Sequence, residues 1–133
     1  MKMTLYTNHS VKVLVHLAAA PQRLSSIGEI ATAHGISHNH LMKVVNDLGK
    51  AGFVEAVRGR SGGIRLARPA REISLGEIVR HTESGFDLEE ADGASAQPAQ
   101  SFTEAIEEGA RAFVGVLDGY SVADLSGRSD RRT

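Results

Sequence analysis

The sequence predicts a mainly α fold with one small β-hairpin: a winged helix-turn-helix followed by a long C-terminal dimerisation helix. Three observations carry this expectation. Short apolar-periodic segments crowd the first 50 residues, and the last two are separated only by Gly35-Ile36-Ser37, the outline of a helix-turn-helix. From Phe53 the period drops to two on either side of Gly59-Arg60-Ser61-Gly62-Gly63. After residue 101 large apolar residues return at heptad spacing.

The first helix is expected over Asn8 to Ala20, where Val11, Leu14, Val15 and Ala18 recur at helical spacing and His9, Lys12 and His16 form the polar stripe. Pro21 ends it. Ser26 with Glu29 three residues on reads as a capping box for a second helix, which stops at Gly35. A third helix follows Ser37 and ends before Gly52, with Leu41, Val44, Val45 and Leu48 as its buried face. Phe53–Arg58 and Ile64–Ala67 alternate as the strands of a hairpin with a basic tip, which Pro69 closes. Ser74 and Glu77 form a second capping box, opening a short helix to about Thr82, and Ser101 with Glu104 forms a third. Beyond it Phe102, Ile106, Gly109, Phe113, Val116 and Tyr120 keep alternating steps of four and three. Such a seam packs into its own domain or pairs with a second copy, the latter favoured by its distance from the helix-turn-helix beyond an aperiodic stretch. Ser121–Leu125 is expected to add a turn of helix. The expected division is therefore 1–83 winged helix-turn-helix, 84–101 flexible loop, 102–126 dimerisation helix and 127–133 disordered tail.

At 133 residues the chain suits one domain, and the absence of cysteine excludes a disulfide-stapled module and thiolate chemistry. No apolar run approaches the roughly 20 residues of a membrane span, and the opening MKMTLYTNHS is polar where a signal peptide is apolar. A cytoplasmic protein with no membrane association is expected. The net charge of −1 hides an asymmetry: residues 1–70 hold nine Lys/Arg against three acids, and residues 71–133 hold six against thirteen. A basic front half suits a polyanion.

A helix fits the width of the DNA major groove, so the third helix is the expected reader of a double-stranded operator. Its base-facing candidates are Ser37, His38, Asn39, Met42 and Lys43. Asn39 can pair bidentately with adenine, and Lys43 can reach a guanine or a phosphate. Arg58, Arg60 and Arg65 on the hairpin are expected to meet phosphates or enter the minor groove. Two competing readings exist. The hairpin and heptad helix suit a protein-interaction module. Gly59-Arg60-Ser61-Gly62-Gly63 also fits G-x-S-x-G, the nucleophile elbow of serine hydrolases, although that chemistry needs a helix after the serine and a strand-like stretch follows here. The six histidines include no H-E-x-x-H, and no metal site is predicted.

Over nearly its whole length the chain resembles the IscR/NsrR-type winged-helix repressors of bacteria. The resemblance rests on Met1, Thr4, Thr7, Val13-Leu14 and Leu17-Ala18; on Gly35-Ile36-Ser37 with His40-Leu41-Met42-Lys43-Val44-Val45; and on Leu48-Gly49-Lys50-Ala51-Gly52-Phe53-Val54. It continues through Val57-Arg58-Gly59-Arg60, Gly62-Gly63-Ile64-Arg65-Leu66, Leu75-Gly76-Glu77-Ile78-Val79-Arg80 and Tyr120-Ser121-Val122. Asn39-His40-Leu41-Met42-Lys43 is most similar to the nitric-oxide-sensing NsrR branch. The resemblance implies a homodimer on a near-palindromic operator, with Phe102, Ile106, Phe113, Val116 and Tyr120 at the dimer seam. It further implies repression of genes answering nitrosative, iron or redox stress. Such regulators usually hold an iron–sulfur cluster through three cysteines in the loop corresponding to 88–101. This chain has none there, so no cofactor is predicted for it.

Overall fold

Thr4 sets the start of the first helix. Its hydroxyl accepts the Thr7 N–H at 3.2 Å, so α1 spans Leu5–Ala19, three residues earlier than the apolar spacing alone indicates. The computed structural model describes residues 1–86, 88 and 100–127. After α1 come α2 (Ile27–His34), α3 (His38–Lys50), β1 (Val54–Val57), β2 (Gly63–Leu66), a 3-10 turn (Ala70–Glu72), α4 (Leu75–Thr82), α5 (Phe102–Leu117) and α6 (Val122–Ser126). The winged helix-turn-helix expected from the sequence is present.

The helix starts divide into full and partial caps. Ser74 and Glu77 make the reciprocal box at α4, each side chain taking the other's backbone N–H at 3.0 Å. Ser26 and Ser101 accept the N–H of Glu29 and Glu104, but the return bonds differ from expectation. The Glu29 carboxylate turns to Arg23 instead, and Glu104 takes the Gln100 N–H, one residue before the cap. A box not foreseen, Ser121 with Asp124, opens α6.

Leu14, Ile30, Leu41, Leu48, Ile73 and Ile78 are fully buried at the centre of the helical layer. Burial of each such side chain contributes about 1.5–3 kcal/mol relative to exposure. The strands pair antiparallel with Glu55 opposite Arg65 and Val57 opposite Gly63. Ser25, just before α2, adds a one-residue bridge to Ile64, with N–H···O distances of 3.0 and 2.8 Å in the two directions. The wing is thereby tied to the helix-turn-helix, not merely appended to it.

The segment expected as one helix over 102–126 is two. α5 ends at Leu117, and the chain turns back so that Leu75 N–H donates to Tyr120 C=O at 2.8 Å and Val122 N–H to Ile73 C=O at 2.9 Å. Val122 is fully buried in the main core and α6 packs on α1, because a five-residue helix is stable only when docked. α5 meets α4 through the buried Val114, where Gly76 admits the Asp118 carboxylate and the Val114 carbonyl; Asp118 in turn grips Arg80 at 2.7 and 2.8 Å. The expectations of a mobile loop and tail fall largely on residues 87, 89–99 and 128–133, outside the described residues.

Candidate nucleic-acid interface

The joint between α2 and α3 positions the reading helix. Gly35 adopts the left-handed conformation (φ 64°), and Ile36 donates to Ala31 C=O at 3.0 Å while burying its side chain. Leu41, Val44, Val45 and Leu48 then anchor α3 from behind. Ser37, His38, Asn39, Met42 and Lys43 lie together on the exposed side, with Met42 47% exposed. Ser37 differs in role from the expectation, because its hydroxyl accepts the His40 N–H at 3.2 Å as the N-cap. It retains a proton to donate, but its position is fixed by the helix start. Asn39 presents an amide donor and acceptor together, the pattern that matches adenine.

The wing stands beside this helix. Gly62 closes its turn through an N–H···O bond to Gly59 at 3.0 Å. A Cβ at Gly62 would lie 2.1 Å from the Val57 carbonyl oxygen, so the turn requires the missing side chain. Arg58 and Arg60 are exposed near this tip and have no ion pair among the described residues. Arg65 carries an ion pair in addition: its Nε donates to Glu55 Oε1 at 2.6 Å across the hairpin. Cross-strand register sets this pair directly opposite, and it uses one of the five guanidinium N–H donors.

Between α3 and the wing runs a groove of about 650 Å³, lined by Ile27, Met42, Lys43, Asn46, Lys50 and Ala56 among others. Asn46 and Lys50 were not among the expected interface residues; their spacing of three and seven from Lys43, which puts them on its side of α3, was the available signal.

Other polar clusters are structural. His16 Nδ1 and His34 Nε2 share a hydrogen bond at 3.0 Å; burial, then His16 and Lys12, hold His34 below its ordinary value. The Glu83 carboxylate accepts from Thr7 and from Thr4, and these bonds hold it below the usual carboxylate range. Ser61 sits exposed in a hairpin turn between antiparallel strands, without the helix that a nucleophile elbow needs. Among the described residues no three metal-ligating side chains gather, and no helix is long and apolar enough to cross a membrane. The iron–sulfur cluster common in similar regulators does not fit the donor set, since the whole chain lacks cysteine.

A wing bearing cations beside an exposed α3 defines a DNA-binding transcriptional regulator of the winged-helix class. The chain belongs to the Rrf2 family, described as an iron-dependent transcriptional regulator, which it matches over residues 3–128. It is 44% identical to the HTH-type transcriptional regulator NsrR of Bacillus subtilis, over 94% of this chain and 90% of that protein. Identity to the NsrR of Shouchella clausii is 40%, over 94% and 88%. Among solved structures, IscR of T. potens superposes with a TM-score of 0.79 at 28% identity, covering 100% of this chain and 91% of that one. CymR of B. subtilis, titled the global cysteine regulator, shares the fold with a TM-score of 0.77 at 24% identity, over 96% and 98%. These relatives are regulators, so the hydrolase reading of Ser61 is set aside.

Proposed function

We propose that this chain is a cytoplasmic homodimeric repressor that occupies a near-palindromic operator and controls genes answering nitrosative, iron or redox stress. The observation that carries the DNA reading is the exposed N-terminal end of α3, with Asn39, Met42 and Lys43 beside a wing tipped by Arg58 and Arg60. The class of genes rests on the identity to NsrR regulators and on the family's description. The dimer is supported by the outer stripe of α5. Phe102 is 82% and Val116 65% exposed, Ile106 and Tyr120 are also exposed, and nothing among the described residues covers them. Phe113 is half-buried against the Phe86 ring, with centroids 5.3 Å apart, and Tyr120 lies beyond the end of α5. The usable helical stripe is therefore shorter than the full heptad seam.

Capture of genomic fragments by the whole chain, followed by footprinting, tests this reading. The expected footprint has two inverted half-sites about 10 bp apart, centre to centre, as a two-fold dimer requires. Transcription from the captured promoters should rise when the regulator is deleted. Val116→Asp should shift the protein to monomers in sedimentation, since a charge desolvated at the seam is strongly unfavourable. A single asymmetric site, or a wild type that sediments as a monomer at micromolar concentration, contradicts the dimer.

The regulator works without a thiolate-held cluster. Anaerobic incubation with iron and sulfide should leave it colourless, without stoichiometric iron, and its DNA affinity should not respond to nitric oxide. Stoichiometric iron with visible absorbance contradicts this.

A further inference from the structure

The groove beside the wing is not the only one along α3. On the opposite flank a second groove of about 420 Å³ opens between α1 and α3, lined by His9, His40, Lys43 and Asp47, with Leu5 and Tyr6 as apolar walls. Lys43 borders both grooves. A helix seated in the major groove has a phosphate strand on each side of it. On the DNA-binding reading, the wing-side groove, with Lys43 and Lys50, would face one strand and the second groove the other.

We propose that the groove between α1 and α3 seats a phosphodiester of the DNA backbone, gripped by His9, His40 and Lys43. The inference rests on the DNA-binding reading and adds a contact that this reading did not contain. His9 and His40 face each other with ring centroids 6.5 Å apart, and Lys43 completes a cluster of nitrogen donors. The one acid in the lining, Asp47, has its Oδ2 held by His81 Nε2 at 2.6 Å, on the α4 side of the groove, so the donors outnumber the acid three to one. Leu5, 69% exposed at the rim, offers an apolar surface for the deoxyribose beside the phosphate. Charge, hydrogen-bonding capacity and shape thus match one unit of the backbone.

Two of the three donors are imidazoles, so this grip depends on pH. Groups facing His9 are Lys12 on its own helix and His40, Lys43 and Asp47 on α3. In the free protein, burial first, then Lys12 and His40, hold His9 below its ordinary value. A phosphate in the groove reverses that balance and favours the protonated ring. DNA binding therefore takes up a proton, and the contact weakens as pH rises.

The test is fluorescence anisotropy of the full chain with a mixed-sequence duplex of about 30 bp at about 50 mM salt, because phosphate contacts do not depend on sequence. Wild-type affinity should fall about three- to tenfold between pH of about 6 and about 8. In His9→Gln/His40→Gln most of this response should vanish, and the salt slope should drop by about one. Single His40→Gln, at an exposed position, should show part of the same loss and carries the test if the double variant does not fold. Retention of the full pH response and salt slope by a folded variant overturns the proposal while leaving DNA binding intact. A wild type that binds no duplex at any pH overturns the DNA reading as well.

Discussion

On the proposed function, Asn39 is the residue on which base recognition turns. It sits two positions after the Ser37 cap, exposed, with its orientation set by the buried Leu41 that follows. Asn39→Ala should cost about 1–3 kcal/mol on the preferred operator and relax preference at one base pair, with little effect on other DNA. Competition binding across an operator series with each base pair varied measures this. Equal weakening on every sequence would show that α3 is not placed as described. The exposure of Asn39 was legible in the sequence because the i, i+3, i+4, i+7 set fixes the buried face of α3 and, by subtraction, the exposed one. The Arg65–Glu55 pair was not, because an ion pair across a hairpin depends on register, and register depends on how the five-residue glycine-rich turn closes. His9 and His40 escaped for a similar reason. They lie on different helices, 31 positions apart, and only the packing of α1 on α3 brings their rings together.

At the scale of elements, the wing depends on the backbone of its turn. Gly62→Ala would press a methyl group against the Val57 and Gly59 carbonyl oxygens, at 2.1 and 2.9 Å, and the turn must open to admit it. The expected cost is about 1–3 kcal/mol, the range for strain at a tight backbone position. Thermal unfolding should report the loss, and amide exchange should quicken first in β1 and β2. Unchanged stability and unchanged hairpin protection would contradict this account of the turn. The hairpin itself was legible from its alternation and glycines, as were α2 from its cap and α3 from its apolar spacing. Two other features were not. The Ser25 bridge is one residue long and has no alternation to detect, and α6, though expected as a turn of helix, is too short for periodicity to show which core it joins. Both are fixed by tertiary contacts, Ser25 through Ile64 and α6 through the burial of Val122.

The whole molecule separates its charge by task. The basic front half forms the helix-turn-helix and wing, while α5, with Glu104, Glu107 and Glu108 in its first half, belongs to the acidic back half. Such a division directs the cationic face to DNA and keeps the outer helix away from it. This asymmetry was legible from composition, whereas the return of the chain after α5 to the DNA-binding core was not. That return ties the α5 end to α4 through Leu75 and Tyr120 and to the core through Val122, so a partner seated on α5 bears directly on the helix-turn-helix. The central claim, that α3 and the wing grip DNA through cations, is tested most directly by the salt dependence of affinity for a captured operator. For the wild type, log affinity should fall steeply and linearly with log salt concentration as bound counterions are released, and Arg60→Ala should reduce the slope by about one. Binding that is indifferent to salt in the wild type would contradict the account and favour a protein-interaction module in its place.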